Sequence, residues 1–296
     1  MKNAVGRELP ERVGSYEIHP YGGLGREQAY SGTVRTCRKV QRENSREPKL
    51  QKDLVSAIRA AGLRDGMTIS FHHCFREGDY TVGLVLKAIQ SLGIKGLRFA
   101  PSAVVNIQNC DLLEFLRDGT ITAVEASGIR GALGDGLLSG EVTLAEPVIL
   151  RPHGARPRAI EAGELRIDVA FLAASAADAW GNCTGQVGAN PCGSLGYAFV
   201  DAQHAGKVIV ITDTLVDYPC VPVSISQQYV DFVVTVPQIG DPAKIGAGAA
   251  RLTKNPRDLM IAKMTAELIC ASSLFRNGFS FQTGVGAISI ACTNYL

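Results

Sequence analysis

The densest run of chemically capable side chains in the sequence is His72-His73-Cys74-Phe75-Arg76. Imidazoles titrate near neutral pH, so either histidine could move a proton or donate a hydrogen bond to an anion. An arginine fork suits carboxylates and phosphates. If the run ends a strand, adjacent side chains point to opposite faces, and the two imidazoles cannot easily share one metal. One packed and one solvated histidine would give the same pattern, and both readings stay open. A second group, Asp178, Gly181 and Asn182, closes an apolar run in DVAFLAASAADAWGNCTG. A third is the loop Gly284-Val285-Gly286-Ala287, set before the apolar segment Ile288–Tyr295. Glycine loops at helix starts present backbone N–H groups to anions, although a tight packing turn reads identically. A fourth, RPHGARPR, gathers Arg151, His153, Arg156 and Arg158, and reads as a solvated cationic loop.

These groups need a scaffold, and hydrophobic periodicity supplies its outline. Val169–Ala173, Val208–Ile211 and Phe232–Val236 are short continuous apolar runs, as in strands buried on both faces. Their crossover-length gaps predict a parallel sheet, which binds ligands outside the carboxyl ends of its strands. Upstream, Leu50, Leu54, Val55, Ile58 and Ala61 recur at helical spacing, and Gly62 stops that helix. A strand at Met67–Phe71 delivers the two histidines, and a helix with Val82, Val85, Leu86 and Ile89 on one face runs to Gly93. A strand at Gly96–Phe99, a helix near Asp111–Arg117 and a strand at Thr120–Val124 complete a βαβαβ order, with glycine-rich loops expected through Gly140. The predicted fold class is α/β: an open, mostly parallel sheet with helices on both faces. Residues 1–47 read as an extended arm, whose glycines Gly22, Gly23 and Gly25 fit a plain turn better than a phosphate cradle. Residues 48–240 read as the first domain. After Gly240 the linker-like GDPAKIGAGAARLTKNP leads into 241–296, where a helix, a short strand at Gly278–Thr283, a glycine loop and a further helix are expected to begin a second α/β domain.

Composition narrows the function. The 296 residues are 46% hydrophobic and 20% charged, enough apolar content for a sizeable core. A net charge of +2 with no basic stripe argues against a nucleic-acid partner. No apolar run reaches the roughly 20 residues of a membrane span, and MKNAVGRELPERVG lacks an apolar signal core, so a cytoplasmic chain is expected. The eight cysteines contain no C-x-x-C pair, which predicts eight reduced thiols and no metal site.

Several of these segments also carry a resemblance. KNAVGRELPE, GLRDGMTISFHHCFREGDY, DVAFLAASAADAWGNCTG, KVIVITDTLVDYPCVPVSISQQYVDFVVTV and FQTGVGAISIA, in this order, resemble blocks of the citrate lyase alpha-subunit family, within the coenzyme A transferases. Cys74 stands where the resemblance implies a third histidine, and Ala287 where it implies the second glycine of a Gly-x-Gly-Gly loop. The resemblance implies a longer family chain with a complete second domain. It also implies acyl exchange on the thiol of an acyl carrier protein, in which acetyl-carrier and citrate give citryl-carrier and acetate through a mixed anhydride. The phosphopantetheine-derived group would ride on the carrier (gamma) subunit, and a beta subunit would cleave the citryl thioester within an oligomeric complex. On this reading Gly284, Val285, Gly286 and Ala287 form the oxyanion loop, His72, His73 and Arg76 receive citrate carboxylates, and Asp178, Gly181 and Asn182 shape the crevice. A transferase using free coenzyme A and another small acid, or a non-catalytic scaffold subunit, are the alternatives.

Overall fold

The computed structural model describes residues 1–3, 6–13, 16–19, 39, 42, 47–105, 110–245, 252–284 and 286–296. The glycines at 22, 23 and 25, Cys37 and Val285 lie outside the described residues. Its centre is an eight-stranded sheet built from β1 (Leu50–Gln51), β2 (Thr68–Phe71), β3 (Leu97–Phe99), β4 (Ile121–Ala126), β5 (Ile149–Leu150), β6 (Val169–Ala173), β7 (Lys207–Thr212) and β8 (Phe232–Thr235). The spatial order is β1-β8-β7-β6-β2-β3-β4-β5, and every neighbouring pair is parallel.

Alternation along the strands splits the core into two layers. Val169, Phe171 and Ala173 of β6 face one side, with α1 (Leu54–Ala60), α2 (Thr81–Ser91) and α3 (Leu112–Arg117). Ala170 and Leu172 face the other side, with α5 (Ala155–Glu161) and α6 (Gly196–His204). Helix starts follow local capping chemistry. Asp53 accepts from the N–H of Ser56 at 2.7 Å to begin α1, and Asp111 accepts from that of Leu113 at 3.0 Å to begin α3.

Three expectations are corrected. The glycine-rich stretch before Gly140 contains a helix, α4 (Ala132–Ser139), because Gly131 and Gly140 take positive φ at its two ends. Gly136 sits inside it where a Cβ would meet a methyl of Leu113 at 2.7 Å, so the missing side chain is what lets α4 lie against α3. The second correction concerns RPHGARPR, which is only partly a loop. Its second half opens α5, with Pro157 in the first turn, where a missing N–H costs nothing. Arg156 is buried there, 1% exposed, instead of solvated. Third, Gly278–Thr283 forms no strand, having no ladder partner for its backbone groups among the described residues. Instead α7 (Pro256–Ala271) packs directly on α8 (Ala287–Tyr295), through Ala262, Ala266, Ala291 and Cys292.

Candidate functional site

The strand order reverses beside β2. The chain steps outward through β3, β4 and β5, then returns to place β6 on the other side of β2 and continues through β7 and β8. In open α/β sheets the crevice outside the carboxyl ends of the two strands at such a reversal is where ligands bind. Here those ends are Phe71, followed by His72-His73, and Ala173, followed by Ala174-Ser175. His72 bridges them directly, its Nε2–H donating to the carbonyl of Ala173 at 2.7 Å.

His72 is buried, and its other ring nitrogen faces Cys74. The Cys74 N–H donates to Nδ1 at 3.2 Å. Burial alone would disfavour the imidazolium, but the thiolate of Cys74, its hydrogen bond, Asp79 and the Ala173 carbonyl together push the pKa up to about 9. Cys74 moves the opposite way. A hydrogen bond from the Cys192 thiol, opposed by burial and assisted by His72 and His73, holds it down to about 4. Asp79 accepts from the N–H and hydroxyl of Thr81 at the start of α2, yet burial raises its pKa.

His73 has a different environment. Ser102 Oγ accepts from the His73 N–H at 3.0 Å and lies 2.5 Å from Nδ1. In the tautomer where the serine donates to Nδ1, the ring carries its own proton on Nε2. His153 and Tyr197 flank the ring at 5.7 and 5.4 Å between centroids, forming a three-ring wall with each other. Burial, against the charge of Cys74 and with that of His72, His153 and Arg76, pushes His73 down to about 4, so it is a neutral donor at pH 7.

Arg76 adopts positive φ, +51°, a strained backbone state for a side-chain-bearing residue of the kind that clusters at functional sites. It is half-buried beside His72 and His73 in one pocket, and among the described residues no carboxylate lies within ion-pair distance of its guanidinium. The pocket has a volume of only about 10 Å³, room for at most one water.

Asp178, Gly181 and Asn182 stand beyond the end of β6, where their hydrogen bonds make them framework. Asp178 accepts from the N–H groups of Trp180 and Gly181 at 2.9 Å, Asn182 at 3.1 Å and Cys220 at 2.9 Å, and from the Asn182 side chain at 2.8 Å. Five donors fill its lone pairs. Asn182 in turn accepts from the Gln227 N–H at 3.0 Å. Gly181 has φ +105°, and a Cβ there would meet Val230 at 2.9 Å. On the C-terminal helix pair, Gly286 caps α8 without a side-chain hydrogen bond, and among the described residues nothing accepts from its first-turn N–H groups. Gly284 lines a groove of about 330 Å³ with Phe281, Ile288 and Ser289. Sequence reasoning missed Ser102, Asp79, Tyr197 and Cys192, which come from separate segments, Tyr197 from the first turn of α6, and carry no motif of their own.

The three titrating groups predict an acid response. His73, depressed from 6.5 to about 4, stays neutral when folded while the unfolded chain takes up a proton below 6.5; its stabilisation is complete above 6.5 and is lost down to about 4. His72 alone would lose stabilisation from 6.5 to 9, and Cys74 alone would gain it over the same interval, so that pair is level there and loses stability only below 6.5. The urea midpoint is therefore expected to fall between pH 7 and pH 5, and to fall less steeply in His73→Gln. A midpoint that is flat or rises on acidification, or an unchanged slope in that variant, would contradict these assignments.

Comparison with known proteins fits this geometry. Residues 47–296 match the family model described as citrate lyase, alpha subunit. The citrate lyase alpha chain of Escherichia coli (strain K12) is 47% identical over 256 residues, covering 86% of this chain and 50% of that protein. The Klebsiella pneumoniae citrate lyase alpha chain is 41% identical over 296 residues, 100% of this chain and 56% of that one. A Streptococcus mutans crystal structure, assigned to the alpha subunit of citrate lyase and solved in complex with citrate, superposes with TM-score 0.86 at 42% identity. It covers 99% of this chain and 56% of that one. An acyl-CoA transferase from E. coli O157:H7 shares the fold alone, with TM-score 0.52 at 14% identity over 77% of this chain and 56% of that one. The chain spans about half the length of the curated relatives it matches. It belongs to the citrate lyase alpha-subunit family.

Proposed function

We propose that this chain performs the acyl-exchange half of citrate cleavage. Citrate carboxylate attacks the acetyl thioester of an acyl carrier, giving acetyl-citryl anhydride and carrier thiolate; the thiolate then attacks the citryl carbonyl, releasing acetate and leaving citryl-carrier. The observation that carries this reading is Arg76, a strained, half-buried cation without an ion pair among the described residues, beside two histidines at the reversal point of the sheet. Citrate in the Streptococcus mutans relative supports the choice of acid. Because the pocket behind Arg76 holds no more than a water, the tricarboxylate lies across its mouth, one carboxylate on Arg76 and one on the Nε2–H of His73.

His72 donates to Ala173 and faces Cys74, so in this arrangement it sets the charge of the crevice and does not grip substrate. Asp178, Gly181 and Asn182 hold the neighbouring loop. The substrates form the anhydride with each other, so no enzyme nucleophile is needed; what is needed is alignment and stabilisation of two successive oxyanions. The open N–H groups at Gly286 and Ala287, with Gly284 and Val285 completing the loop, are suited to the second task. Residues 48–240 would be the first transferase domain, 1–47 an arm, and 241–296 the beginning of a second domain. The carrier subunit would bring the phosphopantetheine-derived thiol, and a lyase subunit would consume citryl-carrier, in a cytoplasmic complex.

Arg76→Met tests the substrate contact. A hydrogen bond to a charged group contributes roughly 1.5–3 kcal/mol, so KM for citrate should rise about 10- to 100-fold while kcat changes far less. An unchanged citrate KM would remove Arg76 from the site.

A further inference from the structure

Helices α5 and α6 lie side by side on one face of the sheet, and each runs back from its carboxyl edge toward the strand that follows, β6 or β7. Between them is a groove of about 620 Å³, within the roughly 300–1,000 Å³ usual for ligand pockets. It starts at the crevice, because His153 and Tyr197, whose rings flank His73, also form its near wall. Pro157, Phe199 and Val200 give it an apolar lining. Lys39 and Glu161 stand along it with opposite signs, so it favours no net charge.

One side chain here lacks what a buried polar group needs. Gln203 lines the groove, is only 6% exposed, and among the described residues has no hydrogen-bond partner for its carboxamide. An unpaired carboxamide in an apolar lining is costly, and a ligand that pairs it recovers that cost. Its oxygen accepts and its nitrogen donates, so a secondary amide, with one donor and one acceptor, satisfies both. A carboxylate or phosphate would engage the donors alone and leave its own charge in an apolar cleft. The complement is a narrow, neutral chain that carries a secondary amide and reaches the crevice with one end.

We propose that the groove between α5 and α6 holds the pantetheine chain of the acyl carrier, its thiol at the His153–Tyr197 end and an amide on Gln203. The choice of ligand rests on the exchange reaction proposed above; the unpaired carboxamide does not. Tyr197 and Gln203 are six residues apart on α6, roughly 9 Å along its axis. The second amide of an extended pantetheine lies about 9 Å from its sulfur, at the bond lengths of a peptide chain. A thiol bound in this way emerges beside His73, where one citrate carboxylate is placed.

Isothermal titration of the reduced protein with free pantetheine tests the site without any turnover. Pantetheine should saturate, and should bind more tightly than N-acetylcysteamine, which keeps the thiol and the first amide but lacks the second. Gln203→Leu keeps the lining apolar; it should weaken pantetheine roughly 2- to 10-fold and leave N-acetylcysteamine unchanged. Gly196→Leu supplies an independent test. Gly196 lines the groove, and a Cβ there meets nothing within 4 Å, so leucine occupies the open space and favours the helix. Pantetheine affinity should then fall at least about tenfold, with a urea midpoint no lower than the parent's. No saturation by pantetheine, an equal loss for both thiols in Gln203→Leu, or full affinity in Gly196→Leu would each overturn the proposal. In the assembled complex both substitutions should raise KM for acetyl-carrier and leave KM for citrate unchanged. If pantetheine binds as expected but the parent complex shows no exchange, the proposed reaction fails and the groove remains a pantetheine site. Exchange with a parental KM for acetyl-carrier in Gly196→Leu would remove the groove and leave the reaction.

Discussion

Arg156→Met is expected to destabilise the fold by about 3–5 kcal/mol, the usual consequence of leaving one member of a buried ion pair alone. Arg156 is 1% exposed and Asp201 fully buried. The guanidinium meets both carboxylate oxygens, at 2.9 and 3.0 Å, and also reaches Ser70 Oγ at 3.0 Å and the Ala100 carbonyl at 2.8 Å. Ser70 in turn donates to Asp201. One side chain on α5 thus ties α6, β2 and the end of β3 together, two residues before His72. Methionine fills similar space but abandons the carboxylate in a core layer. A urea titration should show the loss, and Arg156→Met combined with Asp201→Leu should recover much of it, because the orphaned charge disappears. A single variant within about 0.5 kcal/mol of the parent would mean that the network is not a structural tie.

Gly286→Pro is expected to reduce carrier exchange by about 10²–10³-fold, the typical effect of removing one oxyanion donor. Gly286 has φ −70°, which proline adopts without strain, so the substitution deletes an N–H while the helix start keeps its backbone. Gly286→Ala is the informative companion. Among the described residues a Cβ there meets Ser289 Oγ alone, at 3.7 Å, so the donor survives, and the rate should fall by less than about tenfold. Equal effects of the two substitutions, measured as kcat in the assembled complex, would indicate that loop packing matters and the N–H does not.

How far these residues can be read from sequence depends on the distance over which their partners act. β6 is legible to the residue, because five consecutive apolar side chains buried on both faces need no partner to be recognised. The helices bearing Val85 and Phe115 follow for a similar reason, their periodicity and caps being local. RPHGARPR misleads because the charge that neutralises Arg156 is Asp201, which sequence spacing does not associate with it. The helix before Gly140 is hidden because its glycines terminate it and let it pack, roles that look like loop composition until Leu113 is seen against Gly136. The pairing of β2 with β6 is a non-local choice, so the contact of His72 with Ala173 was not available in advance. The same holds for Ser102 under His73. Asp178 was visible as a turn residue, but only its five donors show that its carboxylate is occupied.

The central claim is that two acyl groups exchange on a carrier thiol by direct attack of one substrate on the other, with this chain supplying alignment and oxyanion donors. Intact-mass analysis of the assembled complex, sampled after mixing acetyl-carrier with citrate, addresses it most directly. The carrier mass should shift from the acetyl to the citryl form with one acetate released per exchange, while the mass of this chain stays unchanged throughout. An acyl adduct accumulating on this chain, or a carrier that keeps its acetyl group in the presence of citrate, would contradict the account.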